Sequence, residues 1–266
     1  MRWWWGKKAQ APPRIPVKWD FYIRRRGEDL VSVALNLALA DPRLRPQSLK
    51  VVLWIKVKMR QPTEDGTASP AESPVILQIE DAIADDVGNR LGAIFAGHIM
   101  GCGYHECVLY APTSARVSAI TSEITSRFRE YQITASSAHD PTWSVYMEEL
   151  YPDQFGKHQI LNRQVLLNLK KGGDTLQTPR LLRHWIYFKD AESRSGFVER
   201  AKSFHFEVSE SELPVDSPQQ MRFCANIARV DFVKPHEIDG LIGELVALAS
   251  EFGGDYDGWE TEIIKS

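Results

Sequence analysis

The sequence predicts an α+β chain built as two tandem domains. Apolar residues alternate with period two over some segments and recur at three- and four-residue spacing over others. Over the second half these segments run strand, helix, strand, strand, helix, strand, and the first half can be written the same way behind an extra hairpin. A length of 266 residues also lies where single hydrophobic cores usually divide. The β-α-β-β-α-β order is that of the split βαβ, or ferredoxin-like, plan: antiparallel sheets with helices on one face and the opposite face open. No residue-level repeat links the halves, so the shared plan rests on element order. The expected division is a flexible tail at 1–16, an N-terminal α+β domain at 17–151 and a ferredoxin-like domain at 152–266.

The tail, Met1 to Pro16, joins Trp3, Trp4 and Trp5 to Lys7, Lys8 and several prolines, a composition that does not support a regular element. Indoles beside cations suit a membrane interface or a partner groove, whereas an unstructured terminus is the commoner outcome. From Val17 the expected order is three strands, a helix, a hairpin, a helix and a strand. Alternation is clearest at Leu49 to Met59, where Val51, Leu53, Ile55 and Val57 share one face and Trp54, Lys56 and Lys58 the other. One helix carries Ile76, Ile79, Ile83 and Val87, another Val117, Ile120, Ile124 and Phe128. Between them Ala93 to Ala111 reads as two strands turning near Gly101 to Gly103.

The second half opens with a lead helix from about Pro152 bearing Leu161, Val165, Leu166 and Leu169 and stopping at Gly172 and Gly173. A strand at Leu181 to Phe188, a helix at Ala191 to His205 and strands at Phe206 to Leu213 and Met221 to Phe232 follow. Pro235 starts an amphipathic helix carrying Ile238, Leu241, Ile242, Leu245, Val246, Ala249 and Phe252, and Gly253 supplies its left-handed stop. In the closing strand, strict alternation puts Asp257 and Trp259 on one side, Tyr256, Gly258, Glu260 and Glu262 on the other.

Composition, with 43% hydrophobic and 25% charged residues, is that of ordinary globular domains. The net charge of −3 is too small to imply a nucleic-acid or membrane partner, but it is unevenly spread. Residues 149–266 hold 14 Lys+Arg against 19 Asp+Glu, or −5; the rest hold 32 − 14 = 18 against 35 − 19 = 16, or +2. Three cysteines, Cys102, Cys107 and Cys224, are too few for a disulfide framework, and no stretch is apolar enough to span a bilayer or act as a secretory signal. The expected location is cytoplasmic.

Three stretches carry a family resemblance. Thr178 to Asp190 (TPRLLRHWIYFKD), the strand-to-helix run Cys224 to Phe252 and the closing DYDGWET, with Asp255, Tyr256, Asp257, Gly258 and Trp259 as its signature, resemble the RraB family of regulators of ribonuclease E activity. Trp19 to about Leu150, with its IEDAI segment, hairpin and terminal WSVYMEELYPD, resembles the domain-of-unknown-function 695 family. The resemblance implies a non-catalytic regulator that binds a protein partner, ribonuclease E or a related RNA-processing protein, and modulates RNA decay; it implies no cofactor and no catalytic residues. The chain departs from the RraB pattern in its extra domain and in lacking a strongly acidic C-terminal tail.

On the second domain's open sheet face, alternation places Arg183, Trp185 and Tyr187, opposite Leu182, His184, Ile186 and Phe188; the long strand adds Arg222 and Asn226. Large amphipathic rings suit a docking surface. Glu260 and Glu262 are candidate contacts for a basic partner, with Asp257 as a turn cap. Direct RNA readout by this face is disfavoured, because Met221 to Phe232 lacks the basic-glycine-aromatic strand signature and an acidic half repels phosphate. His98, Cys102, His105 and Cys107 crowd one hairpin with imidazole and thiol groups, yet their spacing matches no zinc motif, so no metal is expected. Glu80 and Asp81 read as solvated helix surface. No G-x-S-x-G elbow, phosphate loop or H-E-x-x-H is present, which leaves an enzyme of unknown chemistry in the first domain as the alternative.

Overall fold

A computed structural model describes residues 15–214 and 221–265. The chain divides into two compact units, Met1–Tyr151 and Pro152–Ser266. Both are α+β with antiparallel sheets. Among the described residues no helix is long and apolar enough to cross a membrane. The tryptophans of the tail lie outside the described residues.

The first unit opens with a hairpin, β1 (Trp19–Arg26) and β2 (Asp29–Asn36), then runs β3 (Val51–Lys58), α1 (Ser73–Leu91), β4 (Ile94–Gly101), β5 (Tyr104–Ala111), α2 (Val117–Arg127) and β6 (Gln132–His139). They form one six-stranded sheet in the order β1-β2-β4-β5-β3-β6. Helix and strand periodicities meet in its core, where Ile76, Ile79, Ile83 and Val87 of α1 and Val117, Ile120 and Ile124 of α2 cover Leu53, Ile55, Val57, Cys107 and Leu109. The opposite face is not left open as alternation alone suggested. Trp143 stacks on Tyr110 with centroids 3.8 Å apart, and a π-helical turn at Tyr146–Leu150 follows. Tyr22 Oη donates to Leu150 O at 3.1 Å and Tyr146 Oη to Asn36 O at 2.9 Å, so the aromatic segment forms a second layer.

The second unit begins with α3 (Gln154–Lys171), N-capped by Asp153, whose carboxylate accepts from Gly156 N at 2.7 Å. Then come β7 (Arg180–Phe188), α4 (Ala191–Ser203), β8 (Glu207–Glu212), β9 (Phe223–Asp231), α5 (Pro235–Glu251) and β10 (Asp255–Glu260). Their four-stranded sheet has the order β10-β7-β9-β8, antiparallel at every ladder. Leu166 and Leu169 of α3 join Phe197, Ile238, Ile242 and Leu245 against Leu182, Ile186 and Phe188 of β7. Leu161, expected in the core, is instead 48% exposed, being on the flank of α3 that turns away from α5. All three helices thus pack against the same face of the sheet.

The join between α5 and β10 depends on two glycines. Gly253 takes φ +63°, the left-handed conformation that ends the helix, and Gly254 N bonds Ala249 O at 2.8 Å. A Cβ on Gly254 would stand 2.3 Å from Cε1 of the buried Phe188 ring, so the chain passes closer to the core than any other residue permits.

Candidate functional site

The central strand β7 sets the site. Its burial alternates: Leu182, His184, Ile186 and Phe188 are buried under the helices, while Arg183, Trp185 and Tyr187 lie half-buried on the other face. β9 brings Cys224 beside Tyr187, Asn226 beside Trp185 and Ala228 beside Arg183. β10 brings Asp255 beside Tyr187, Gly258 beside Trp185 and Glu260 beside Arg183. Burial raises the Tyr187 hydroxyl above its ordinary value, with the Cys224 thiol and Asp257 acting in the same direction. The result is an Arg-Trp-Tyr stripe bordered by the exposed acids Asp255, Asp257 and Glu260. Glu262 is exposed beyond the end of β10, its backbone carbonyl accepting from Arg180 Nη1 at 3.2 Å.

Strict alternation fails in β10. A register shift between Tyr256 and Gly258 accommodates one extra residue, Asp257, so Tyr256 pairs with Ile186 and Trp259 with His184. Both aromatics therefore face the helices, whereas unbroken alternation set them on opposite sides. Asp257 is exposed there and accepts no hydrogen bond among the described residues, so the turn-cap role expected of it is absent. The bulge sorts the signature by chemistry: rings inward, carboxylates outward.

The inward rings are tied to α3 and α5. Trp259 Nε1 donates to Asn162 Oδ1 at 2.8 Å, and Asn162 Nδ2 donates to Asp239 Oδ1 at 2.8 Å, a relay linking strand to both helices. Burial raises the Asp239 carboxyl, which the Asn162 contact partly offsets. Tyr256 Oη is 2.8 Å from His184 Nδ1 in the interior. Beneath the end of the sheet, Asp174 and Arg180, with side chains 1% and 3% exposed, pair through two guanidinium nitrogens. The Asp174 carboxylate also accepts from Leu176 N at 2.7 Å and Ile264 N at 2.8 Å. Arg180 holds that carboxyl well below the usual carboxylate range.

Burial, with Arg229 adding to it, pulls His184 from 6.5 to about 3, so the folded ring is neutral. Over that interval the unfolded chain binds a proton that the folded chain refuses, and stability declines as pH falls. The slope contributed is up to about 1.4 kcal/mol per pH unit. Thermal unfolding of the wild type and His184→Gln from about pH 7 to about pH 4 should show their gap narrowing with acid. A gap constant across that range would refute the assignment.

The hairpin quartet of the first unit does not assemble as written. Cys102 sits in the turn, its Sγ 3.4 Å from Asp29 Oδ2, away from the other three. Its place is taken by Glu80, which is not solvated surface: its Oε2 lies 2.6 Å from both His98 Nδ1 and His105 Nε2. Sequence spacing missed this carboxylate because it arrives from α1; the tight IEDAI run, with Ile79 and Ile83 buried on either side, was the available signal.

Two α+β units, the second with a half-buried Arg-Trp-Tyr sheet face edged by exposed carboxylates, define a tandem-domain protein. The family described as "Family of unknown function (DUF695)" matches residues 17–151, and "Regulator of ribonuclease activity B" matches residues 159–261. The chain belongs to the DUF695 family and carries an RraB domain after it. A curated relative, Regulator of ribonuclease activity B from Actinobacillus succinogenes, is 28% identical over 103 residues, covering 39% of this chain and 72% of the relative. Among solved structures, an unknown protein from Galdieria sulphuraria is 14% identical at TM-score 0.24, covering 80% of this chain and 99% of that one. A putative glycine cleavage system transcriptional repressor is 7% identical at TM-score 0.22, covering 80% and 98%. Scores that low establish no shared fold.

Proposed function

We propose that this chain is a non-catalytic, cytoplasmic regulator whose second unit docks a ribonuclease of the RNA-decay machinery, ribonuclease E or a relative, and modulates it by covering part of its surface. One observation carries the reading: the Arg183-Trp185-Tyr187 stripe on the face opposite the helices, bordered by Asp255, Asp257 and Glu260. The RraB match supplies the class of partner. Trp185 and Tyr187 would supply contact area and stack on guanidinium groups, while the acids, with Glu262, would orient a basic segment and speed its approach.

Trp185→Ala should weaken binding of the full chain to ribonuclease E by roughly 30-fold or more, the loss of a central aromatic anchor. Titration calorimetry measures this, with thermal unfolding as the control for folding. Glu260→Lys should chiefly slow association and flatten its salt dependence. Failure of the wild type to bind at low salt, or equal binding by Trp185→Ala, would remove the proposal's basis; binding of single-stranded RNA instead would favour stacking by the same rings.

A further inference from the structure

The Glu80 cluster belongs to the first unit. Four metal-ligating groups, two imidazoles, a carboxylate and a thiol, lie between α1 and the β4-β5 hairpin. His98 and Cys107 are cross-strand partners on the helix-facing side of the sheet. His105 stands two residues before Cys107 on the same side, and Glu80 reaches down from α1. Single ligand atoms of Glu80, His105 and Cys107 all lie within 4.8 Å of one another. The His98 and His105 ring centroids are 4.5 Å apart. The pocket is sheltered: the His105 side chain is fully buried, those of His98 and Glu80 are 17% exposed, and Cys107 is buried.

As a set of hydrogen bonds this arrangement is poor. One carboxylate oxygen serves two imidazoles, and His98 Nδ1, although 2.6 Å from it, is buried without an aligned hydrogen-bond partner. His105 Nδ1 is buried without a partner as well. A purely structural cluster gains little from a thiol beside them. As a coordination shell the set is coherent, because two imidazoles, a thiolate and a carboxylate are what zinc-type ions take.

We propose that Glu80, His98, His105 and Cys107 form a binding site for one divalent transition-metal ion of the zinc type. The spacings suit it: metal–ligand bonds of about 2.0–2.3 Å in a tetrahedron separate ligand atoms by roughly 3.2–3.8 Å. For Glu80, His105 and Cys107 the 2.6 Å contact would open and the 4.8 Å span would close, each by about an ångström or less, while His98 lies outside that span and is placed by its 2.6 Å contact with the shared Glu80 oxygen. The buried Cys107 sulfur would coordinate as thiolate. Binding therefore forms the metal–sulfur bond and sends the Cys107 proton to solvent.

The full chain, stripped of metal by chelation, is to be titrated with cobalt(II) and then zinc(II) in weak buffer near neutral pH. The expected result is one equivalent of cobalt with a thiolate-to-cobalt charge-transfer band, about one proton released per ion, and loss of the band on adding zinc. Cys102→Ser should keep the band and Cys107→Ser abolish it, while His105→Gln should weaken binding by about tenfold or more. The assignment is overturned if the folded wild type gives no band with excess cobalt, if metal binds without proton release, or if the band survives Cys107→Ser. The thiolate-to-cobalt band of Cys102→Ser decides the matter even where Cys107→Ser fails to fold.

Discussion

Asp174→Ala is expected to destabilise the second unit by about 3–5 kcal/mol, the usual consequence of leaving one member of a buried ion pair alone. Arg180, 5% exposed, would keep its charge with only the carbonyls of Thr178 and Glu262 as partners. Two backbone donors, Leu176 N and Ile264 N, would lose their acceptor at the same time. The lesion joins distant pieces of chain, because Asp174 follows the end of α3 and bridges to Lys265 near the C-terminus. Amide hydrogen exchange should report it locally, with protection lost first along β7 and β10. Replacing both partners by apolar residues of similar size, as in Asp174→Leu with Arg180→Met, should recover much of the loss, since neither charge then needs burying. A cost below about 1 kcal/mol for Asp174→Ala would show that the pair is not sealed from water.

The second large effect is expected at Gly97. A Cβ there would lie 2.4 Å from Ala34 O and 3.1 Å from both Leu35 Cα and Leu150 Cδ1. Two of these neighbours are backbone of β2, so relief requires parting β2 from β4 and lifting the aromatic layer above them. Gly97→Ala should cost about 3 kcal/mol, at the upper end for overpacking, and lower the first unit's melting temperature by roughly ten degrees. Gly27, with nothing within 4 Å of an added Cβ but a left-handed φ of +66°, separates crowding from backbone strain as a control. Equal losses at the two sites would argue that crowding at Gly97 is relieved by small shifts.

Both α1 and β7 could be read residue by residue from their periods. The 3.6-residue repeat of Ile76, Ile79, Ile83 and Val87 and the alternation from Arg183 to Phe188 describe faces that tertiary packing then uses unchanged. Sequence reasoning went astray where local pattern and long-range pairing part company. The extra residue of β10 reverses the face of Trp259 relative to Tyr256, and no property of DYDGWET marks which residue is extra. Glu80 is half-buried because the hairpin carries two imidazoles to the face beneath α1, a fact located 18 and 25 residues away along the chain. Cys102 leaves the quartet because it occupies the turn with φ +52°, its Sγ set beside Asp29 at the start of β2. The aromatic segment after His139 was visible as composition, but its place as a second layer depends on hydrogen bonds to Asn36 and from Tyr22.

The two outer strands of the second unit's sheet both carry exposed acids. β8 exposes Glu207, Glu210 and Glu212, and β10 combines its kink with Asp255, Asp257 and Glu260. Another copy adding edge-on would set rows of like charge about 4.8 Å apart, against a ladder that is already irregular on one side. Edge-on addition of further strands is therefore disfavoured at both margins of this sheet.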